Sequence, residues 1–412
     1  MAITRRVFLR NGALAVVGTG VLPSFLARAA YGAVEPGVSG KRLVVIFQRG
    51  AADGLNIVVP HGEPAYYAMR PSINIPRNSV IDLDGFFGLH PAMASFRPLW
   101  EQKHLAIVHA AGSPDPTRSH FDAQDFMESG TPGLKATEDG WLNRALRELP
   151  ADHNAFRAIA MGPSLPRILS GSEPALAVNR INEFGVGGRN PNATPIANTF
   201  EAMYEQSVDS VLHGTGQETF EAVKMLKSAD PAKYTPAPGV DYPQGRFGDS
   251  LKQLAQLIKA NLGVQIAFAD IGGWDHHVNE GNTQGQIANV LREFSQSLAA
   301  FWTDLGDLGE DTVVVTMSEF GRTARENGNR GTDHGHANVM FVMGGPVKGG
   351  KVYGRWPGLD QSQLYEGRDL ALTTDFRRAL GEAVYRHLGN QALDQVFPGF
   401  TNRTADFLHL LA

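Results

Sequence analysis

The chain has 412 residues, 42% of them apolar and 19% charged, and it contains no cysteine. That hydrophobicity excludes a fully disordered chain, and the length without cysteine excludes a small disulfide-stapled scaffold. It also removes thiolate nucleophiles, zinc fingers and iron–sulfur clusters, so any metal falls to His, Asp, Glu or hydroxyl groups.

The N-terminus carries Thr4-Arg5-Arg6-Val7-Phe8-Leu9-Arg10, then an apolar run from Ala13 to Leu26 and small residues near Ala27-Arg28-Ala29. This is the layout of a signal peptide, and the paired arginines match a twin-arginine (Tat) export signal. Residues 1–29 are therefore expected to be removed on export by the Tat translocase. Residues 30–412 are expected to form one periplasmic or secreted α/β domain with loop insertions. The apolar run is too short and too rich in glycine for a stable membrane span. Of the 37 Lys and Arg, four lie in 1–29, which leaves 33 against 42 acidic residues, a net charge of −9. An acidic balance with no basic run argues against nucleic acid as a partner.

Leu43–Phe47 reads as a buried strand that ends in the loop Gln48–Asn56. Similar apolar runs follow at Leu105–His109, Gly263–Ala269, Thr312–Met317 and Val339–Met343. Helical patterns lie between and after them, near Ala92–Glu101, His120–Ser129, Gly140–Leu149, Ala197–Leu212, Gln217–Lys227, Gly248–Asn261, Thr283–Leu305 and Thr373–Leu388. Strands alternating with helices predict a mostly parallel sheet covered by helices on both faces. The Pro- and Gly-rich segments Arg180–Pro195 and Pro231–Arg246 read as insertions or a cap.

In such sheets functional groups gather in loops past the carboxyl ends of the strands. Five polar segments occupy these places: Gln48–Asn56, Ser113–Asp125, Asp270–Asn279, Ser318–Thr323 and Thr332–Asn338. Four of the 13 histidines, His276, His277, His334 and His336, fall in two of them. In Trp274-Asp275-His276-His277 alternate residues of an extended loop point the same way, so Asp275 and His277 can share one ion. His334 and His336 have the same spacing, and two imidazoles with a carboxylate are an ordinary ligand set for one or two divalent ions, Zn or Mn. Asp333 is placed to orient an imidazole from behind.

Ser119 begins a helical run, where peptide dipoles favour a bound oxyanion or an alkoxide nucleophile, and it equally fits a capping box with Asp122. Arg118 and Arg49 read either as oxyanion clamps or as loop ion pairs. Glu319 leaves a Val-rich strand towards the cleft as a ligand or general base, or else pairs with Arg322. The segment Gly345–Lys351 spells G-x-x-x-x-G-K, but Val352 lacks the magnesium-binding hydroxyl and Pro346 removes a cradle N–H, so it is a turn.

Taken together, the loops Arg49-Gly-Ala-Ala-Asp53-Gly, Ser119-His-Phe-Asp-Ala-Gln, Gly-Gly-Trp-Asp275-His-His277, Ser-Glu319-Phe-Gly-Arg-Thr and Thr-Asp-His334-Gly-His336 resemble a bacterial Tat-exported family of unknown function. More remotely the chain is similar to the alkaline phosphatase/sulfatase superfamily. That resemblance implies an alkaline-phosphatase-like fold, a two-metal site and a nucleophile acting on phosphate or sulfate esters. Carried over, Asp53 matches the carboxylate after the first strand, Ser119 the nucleophile, and Asp275 and His277 a metal pair. Glu319 matches the Asp of an Asp-His-Gly element, and His334 or His336 the last histidine. Phe320 stands where a second-metal histidine is needed, which points to a weakened or absent second ion. Pro114-Asp-Pro116-Thr-Arg118 lacks the Cys or Ser of the sulfatase signature, which excludes formylglycine there.

The expectation is an exported metal-dependent hydrolase of a small or polymer-borne anionic ester. Its alternative is a catalytically silent binding or assembly protein of the cell envelope. A serine esterase has less behind it, because no G-x-S-x-G elbow is present.

Overall fold

The computed structural model describes residues 40–150, 156–181, 234–401 and 403–412, together with the backbone of 6–10 and 13–17. Those two short stretches pair as an antiparallel ribbon, Arg6–Arg10 with Ala13–Val17. The rest of the expected export segment lies outside the described residues. So do the helical patterns at Ala197–Leu212 and Gln217–Lys227 and most of the segment Arg180–Pro195.

One nine-stranded sheet organises the described chain. Its strands are β1 (Arg42–Gln48), β2 (Leu105–Gly112), β3 (Ala158–Met161), β4 (Leu176–Val178), β5 (Ile266–Ile271), β6 (Thr312–Met317), β7 (Asn338–Gly344), β8 (Lys351–Tyr353) and β9 (Thr374–Asp375). Their spatial order is β8-β2-β7-β6-β1-β5-β3-β4, with β9 beside β2. All neighbours run parallel except β7, which is antiparallel to both β6 and β2. The five apolar runs are the middle of this sheet. The strands β3, β4, β8 and β9 are short additions near its two margins, and too few residues long to show a period.

The central strands are buried along their full length, as expected of a sheet covered on both faces. Val44 and Ile46 of β1 face one core with Phe247, Leu251 and Leu254 of α3 (Arg246–Lys259) and Ile287, Leu291 and Phe294 of α4 (Gln286–Leu305). Leu43, Val45 and Phe47 face the other, with Trp141 and Leu142 of α2 (Trp141–Arg147) and Phe376 and Leu380 of α5 (Phe376–Glu382). At about 25 cal/mol per Å² of apolar surface, these two layers are the main stabilising term. Helix α1 (His120–Ser129) follows β2 and closes on Gly130 at φ 70°, the left-handed conformation that suits glycine.

The reversed strand β7 positions the site. The loops leaving β1, β2, β5 and β6 emerge at one sheet edge, and the segment entering an antiparallel strand arrives at that same edge. Thr332–Ala337 therefore meets the other four loops.

Candidate metal centre

Three imidazoles and one carboxylate converge at that edge. The Nε2 of His334 lies 3.0 Å from the Nε2 of His120 and 3.0 Å from that of His277. An oxygen of Asp275 stands 3.0 Å from His277 Nε2 and 3.3 Å from His334 Nε2, and its other oxygen is 3.7 Å from His120 Nε2. Ligand atoms of His120, Asp275 and His334 all lie within 4.8 Å of one another. A tetrahedral ion with ligands at about 2.0–2.1 Å sets them about 3.3 Å apart, so this set fits one small divalent ion.

The far side of each ring is held. His120 Nδ1 meets Glu319 Oε1 at 2.8 Å, His277 Nδ1 meets Asp333 Oδ1 at 3.1 Å, and His334 Nδ1 meets the Arg118 carbonyl at 2.9 Å. All three partners accept, so each Nδ1 carries the proton and each Nε2 turns a lone pair inward. Lone pairs 3.0 Å apart repel unless a cation, a metal ion or a proton, lies between them. The hydrogen bond that His120 donates to Glu319, aided by the carboxylate charge, raises the pKa of His120, whereas burial lowers that of His334. Burial pushes the Asp275 carboxyl up, but the hydrogen bond and charge of Arg322 outweigh it and hold it below the ordinary range.

Local sequence explains each placement. His120 is the first residue of α1, directly after its cap Ser119, whose oxygen accepts from Asp122 N at 3.5 Å. After β5, Gly273 at φ 88° lets the chain turn, and buried Trp274 anchors the turn through its indole N–H to the Ile271 carbonyl. Gly50 packs against that turn; a Cβ there would lie 3.1 Å from Asp275 N and 3.2 Å from Trp274 N. Arg322, wholly buried, ties the loops together. It donates to the carbonyls of Ala51, Gly50, Trp274 and Thr332 and to Asp275 Oδ1 at 2.5 Å. Glu319 in turn accepts from Gly50 N at 2.8 Å and from Gln124 Nε2 at 2.9 Å, and Arg49 Nη1 donates to Gln124 Oε1.

Asp275, His277 and His334 thus stand at the centre, with Glu319 and Asp333 directly behind two of the rings. The choice between His334 and His336 falls to His334. Gly335 N–H and His336 C=O both bond Gly321, which strictly alternating backbone does not allow, so the chain turns between the two histidines. His336 instead stacks on Tyr365 with centroids 4.4 Å apart. Glu319 pairs with His120 and not with Arg322.

Three further expected site residues, Asp53, Arg118 and Arg49, are engaged with other partners. Asp53 is buried and gives both oxygens to the guanidinium of buried Arg70. Arg118 is no open oxyanion clamp: its Nη2 is held by Glu366 and Asp369, each at 2.7 Å, and its contribution is the carbonyl behind His334. Arg49 likewise pairs with Asp270 and Glu128. Ser119 caps α1, and among the described residues no hydrogen bond joins its hydroxyl to the imidazoles.

His120 is the residue that sequence reasoning missed, since it directly follows the cap Ser119 and belongs to no His-x-His or Asp-x-His pair. It is the one histidine of the segment 113–125, at a sheet edge already holding two histidine clusters, and that was the available signal. Phe320, where a second-metal histidine would be needed, packs its ring 5.0 Å from both His120 and His334.

Among solved structures the chain is similar to the C-terminal periplasmic domain of EcEptC from Escherichia coli in complex with Zn (9% identity, 74% of this chain and 72% of that one, TM-score 0.38). It is also similar to the lipoteichoic acid synthase LtaP from Listeria monocytogenes (9%, 78% and 71%, TM-score 0.33) and to the phosphonate monoester hydrolase of Silicibacter pomeroyi (12%, 90% and 77%, TM-score 0.35). At these scores the likenesses are distant, and only the chain's own residues speak to the chemistry. No curated protein matches the chain. One family model does, over residues 90–394, a span that holds all four converging residues and their carboxylate supports, and by that match the chain belongs to the family described as "Protein of unknown function (DUF1501)".

Proposed function

We propose that this protein is a metal-dependent hydrolase of an anionic phosphate or sulfate ester, exported by the Tat route to the periplasm or beyond. One observation carries the reading: ligand atoms of His120, Asp275 and His334 lie within 4.8 Å of one another, His277 Nε2 stands 3.0 Å from both Asp275 and His334, and every ring is held from behind by an acceptor. His120, His277, His334 and Asp275 would hold the ion, and a donor set of three nitrogens and one oxygen suits zinc better than the oxygen-preferring manganese. When bound, the ion supplies Lewis-acid polarisation of an ester oxygen or a lowered pKa for a bound water. Glu319 and Asp333 keep the Nδ1 protons in place and raise the basicity of the rings. Ser119 sits at the N-terminus of the ten-residue helix α1, where peptide dipoles favour an anion, and among the described residues its hydroxyl donates no hydrogen bond, so it stands as the attacking group. No helix among the described residues is long and apolar enough to cross a membrane, and none is required.

The test is metal analysis of the exported protein. About one equivalent of zinc is expected, and it is lost in His120→Ala and Asp275→Ala but kept in His336→Ala. Less than about a tenth of an equivalent of any transition metal would sink the proposal. A screen over phosphate monoesters, diesters and sulfate esters should find turnover that chelation abolishes, zinc restores and Ser119→Ala removes.

A second reading, a catalytically silent binding or assembly protein, is favoured by the Phe320 ring lying against His120 and His334. Full metal occupancy with no turnover on any ester class would select it.

A further inference from the structure

A cleft of about 230 Å³ opens beside the centre, and the chemistry above makes no use of it. Its wall includes Arg325, Arg368, Asp333, Asn327, Met69 and Leu364. Two of these also brace the centre. Asp333 takes the Nδ1–H of His277, and Arg368 Nη2 donates to the His334 carbonyl at 2.8 Å. A molecule in the cleft therefore sits one side chain from the imidazoles.

The charges on the wall are unequally committed. Asp333 is held by His277 and Asn327, and Glu326 accepts from Ser72 and Ile73. Arg368 is partly engaged: it meets Asp369 at 3.5 Å and its charge also acts on Asp333 and Glu366. Arg325 alone brings a guanidinium with no partner among the described residues; its one hydrogen bond uses its carbonyl. With both carboxylates already occupied, the cleft presents an open fork of N–H donors, which matches an oxyanion. Met69 and Leu364 add apolar surface for the carbon part of a ligand. On a chain of net charge −5, a polyanion needs such a local cation to approach.

We propose that this cleft is a subsite for a second anionic group, bound by Arg325 with Arg368. On the hydrolase reading, on which this step rests, the substrates are then esters that carry another anion, phosphate, sulfate or carboxylate, on the alcohol portion. Arg325 is the specificity-determining residue that selects them over plain monoesters.

Two measurements on the full exported protein separate this subsite from the hydrolase reading itself. The first is calorimetry with inorganic phosphate, inorganic sulfate and acetate on EDTA-treated protein, so that no metal contributes. At least one of these anions is expected to bind, about tenfold more weakly in Arg325→Gln and with much of the loss recovered in Arg325→Lys. The strongest of the three identifies the anion class. No binding to the wild type, or equal binding by wild type and Arg325→Gln, overturns the subsite. The second compares phenyl and 3-carboxyphenyl esters, as phosphates and as sulfates. The charged ester is expected to be favoured about tenfold in kcat/KM, mainly through KM, and that ratio is expected to fall to about one in Arg325→Gln. Anion binding without cleavage of any ester retires the hydrolase reading and leaves the anion site standing. Cleavage of both esters at equal kcat/KM retires the subsite and leaves the hydrolase reading intact.

Discussion

Glu319 is buried at a strand end, a placement that would ordinarily favour its neutral form. Burial does push its pKa up, but the hydrogen bonds from His120, Gln124 and Gly50 outweigh this and keep it ionised. Its charge holds His120 in the one tautomer that turns a lone pair inward. Glu319→Gln keeps the shape and removes that charge, so zinc affinity is expected to fall about 10–100-fold, read by competition with a chromophoric chelator. An unchanged affinity would remove Glu319 from the centre. The same residue shows what sequence can supply: a carboxylate leaving a Val-rich strand is visible, whereas its partner, 199 positions away, is not. Asp53 makes the complementary case. It follows a strand like a ligand does, but Arg70 arrives from a short helical turn that no motif marks, and takes both oxygens.

At the scale of elements, the loops after β1 and β5 and the entry of β7 are joined to the loop after β6 by one guanidinium. Arg322 spends its N–H groups on four carbonyls from three segments and on Asp275, and of those carbonyls that of Trp274 also accepts from His276 N–H. Arg322→Lys keeps the charge but loses the planar fork. Leaving several buried acceptors unpaired is expected to cost about 2–4 kcal/mol, seen as a lower Tm of the metal-free protein, together with loss of bound zinc. A Tm within a degree of wild type would mean that the loops are held by other contacts. The elements themselves were largely legible, since 3.6-residue and continuous apolar patterns report local burial. His120–Ser129 and Thr312–Met317 have the predicted limits, while short edge strands such as Leu176–Val178 carry too few residues for a pattern. The direction of β7 left no trace in its composition, because a buried strand looks the same read either way.

For the molecule as a whole, folding withdraws several histidines from water in their neutral form. His109 accepts from Ala110 N at Nδ1 and donates from Nε2 to the Val58 carbonyl, and His90 does the same between Ala92 N and the Asn282 carbonyl. His387 also donates from Nε2, to the Arg42 carbonyl. Burial lowers all three from 6.5 to about 4. Depressed folded-state values mean that the unfolded chain binds more protons below pH 6.5. Their contribution, on the order of 3 kcal/mol each, is therefore complete above that pH and lost as pH falls towards about 4. Urea unfolding of chelator-treated protein is expected to show this decline, with a shallower slope in His109→Gln. A flat profile between pH 6.5 and 4.5 would mean that these rings charge without unfolding.

By itself the sequence determined the class of fold, the five core strands, the sheet edge where the polar loops gather, and a metal-ligand set limited to His, carboxylates and hydroxyls. These are consequences of composition and of periods that need only neighbouring residues. It also brought Asp275 and His277 together, since two alternate residues of one short loop share a direction however the rest folds. The tertiary structure decided which other groups join them. It chose His334 over His336, drew in His120, set Asp53 against Arg70, and spent the side chain of Arg118 on Glu366 and Asp369. The first two of those choices are made because one reversed strand brings its entering loop to the edge where parallel strands release theirs, and the last two because buried or half-buried charges take partners that no local period marks.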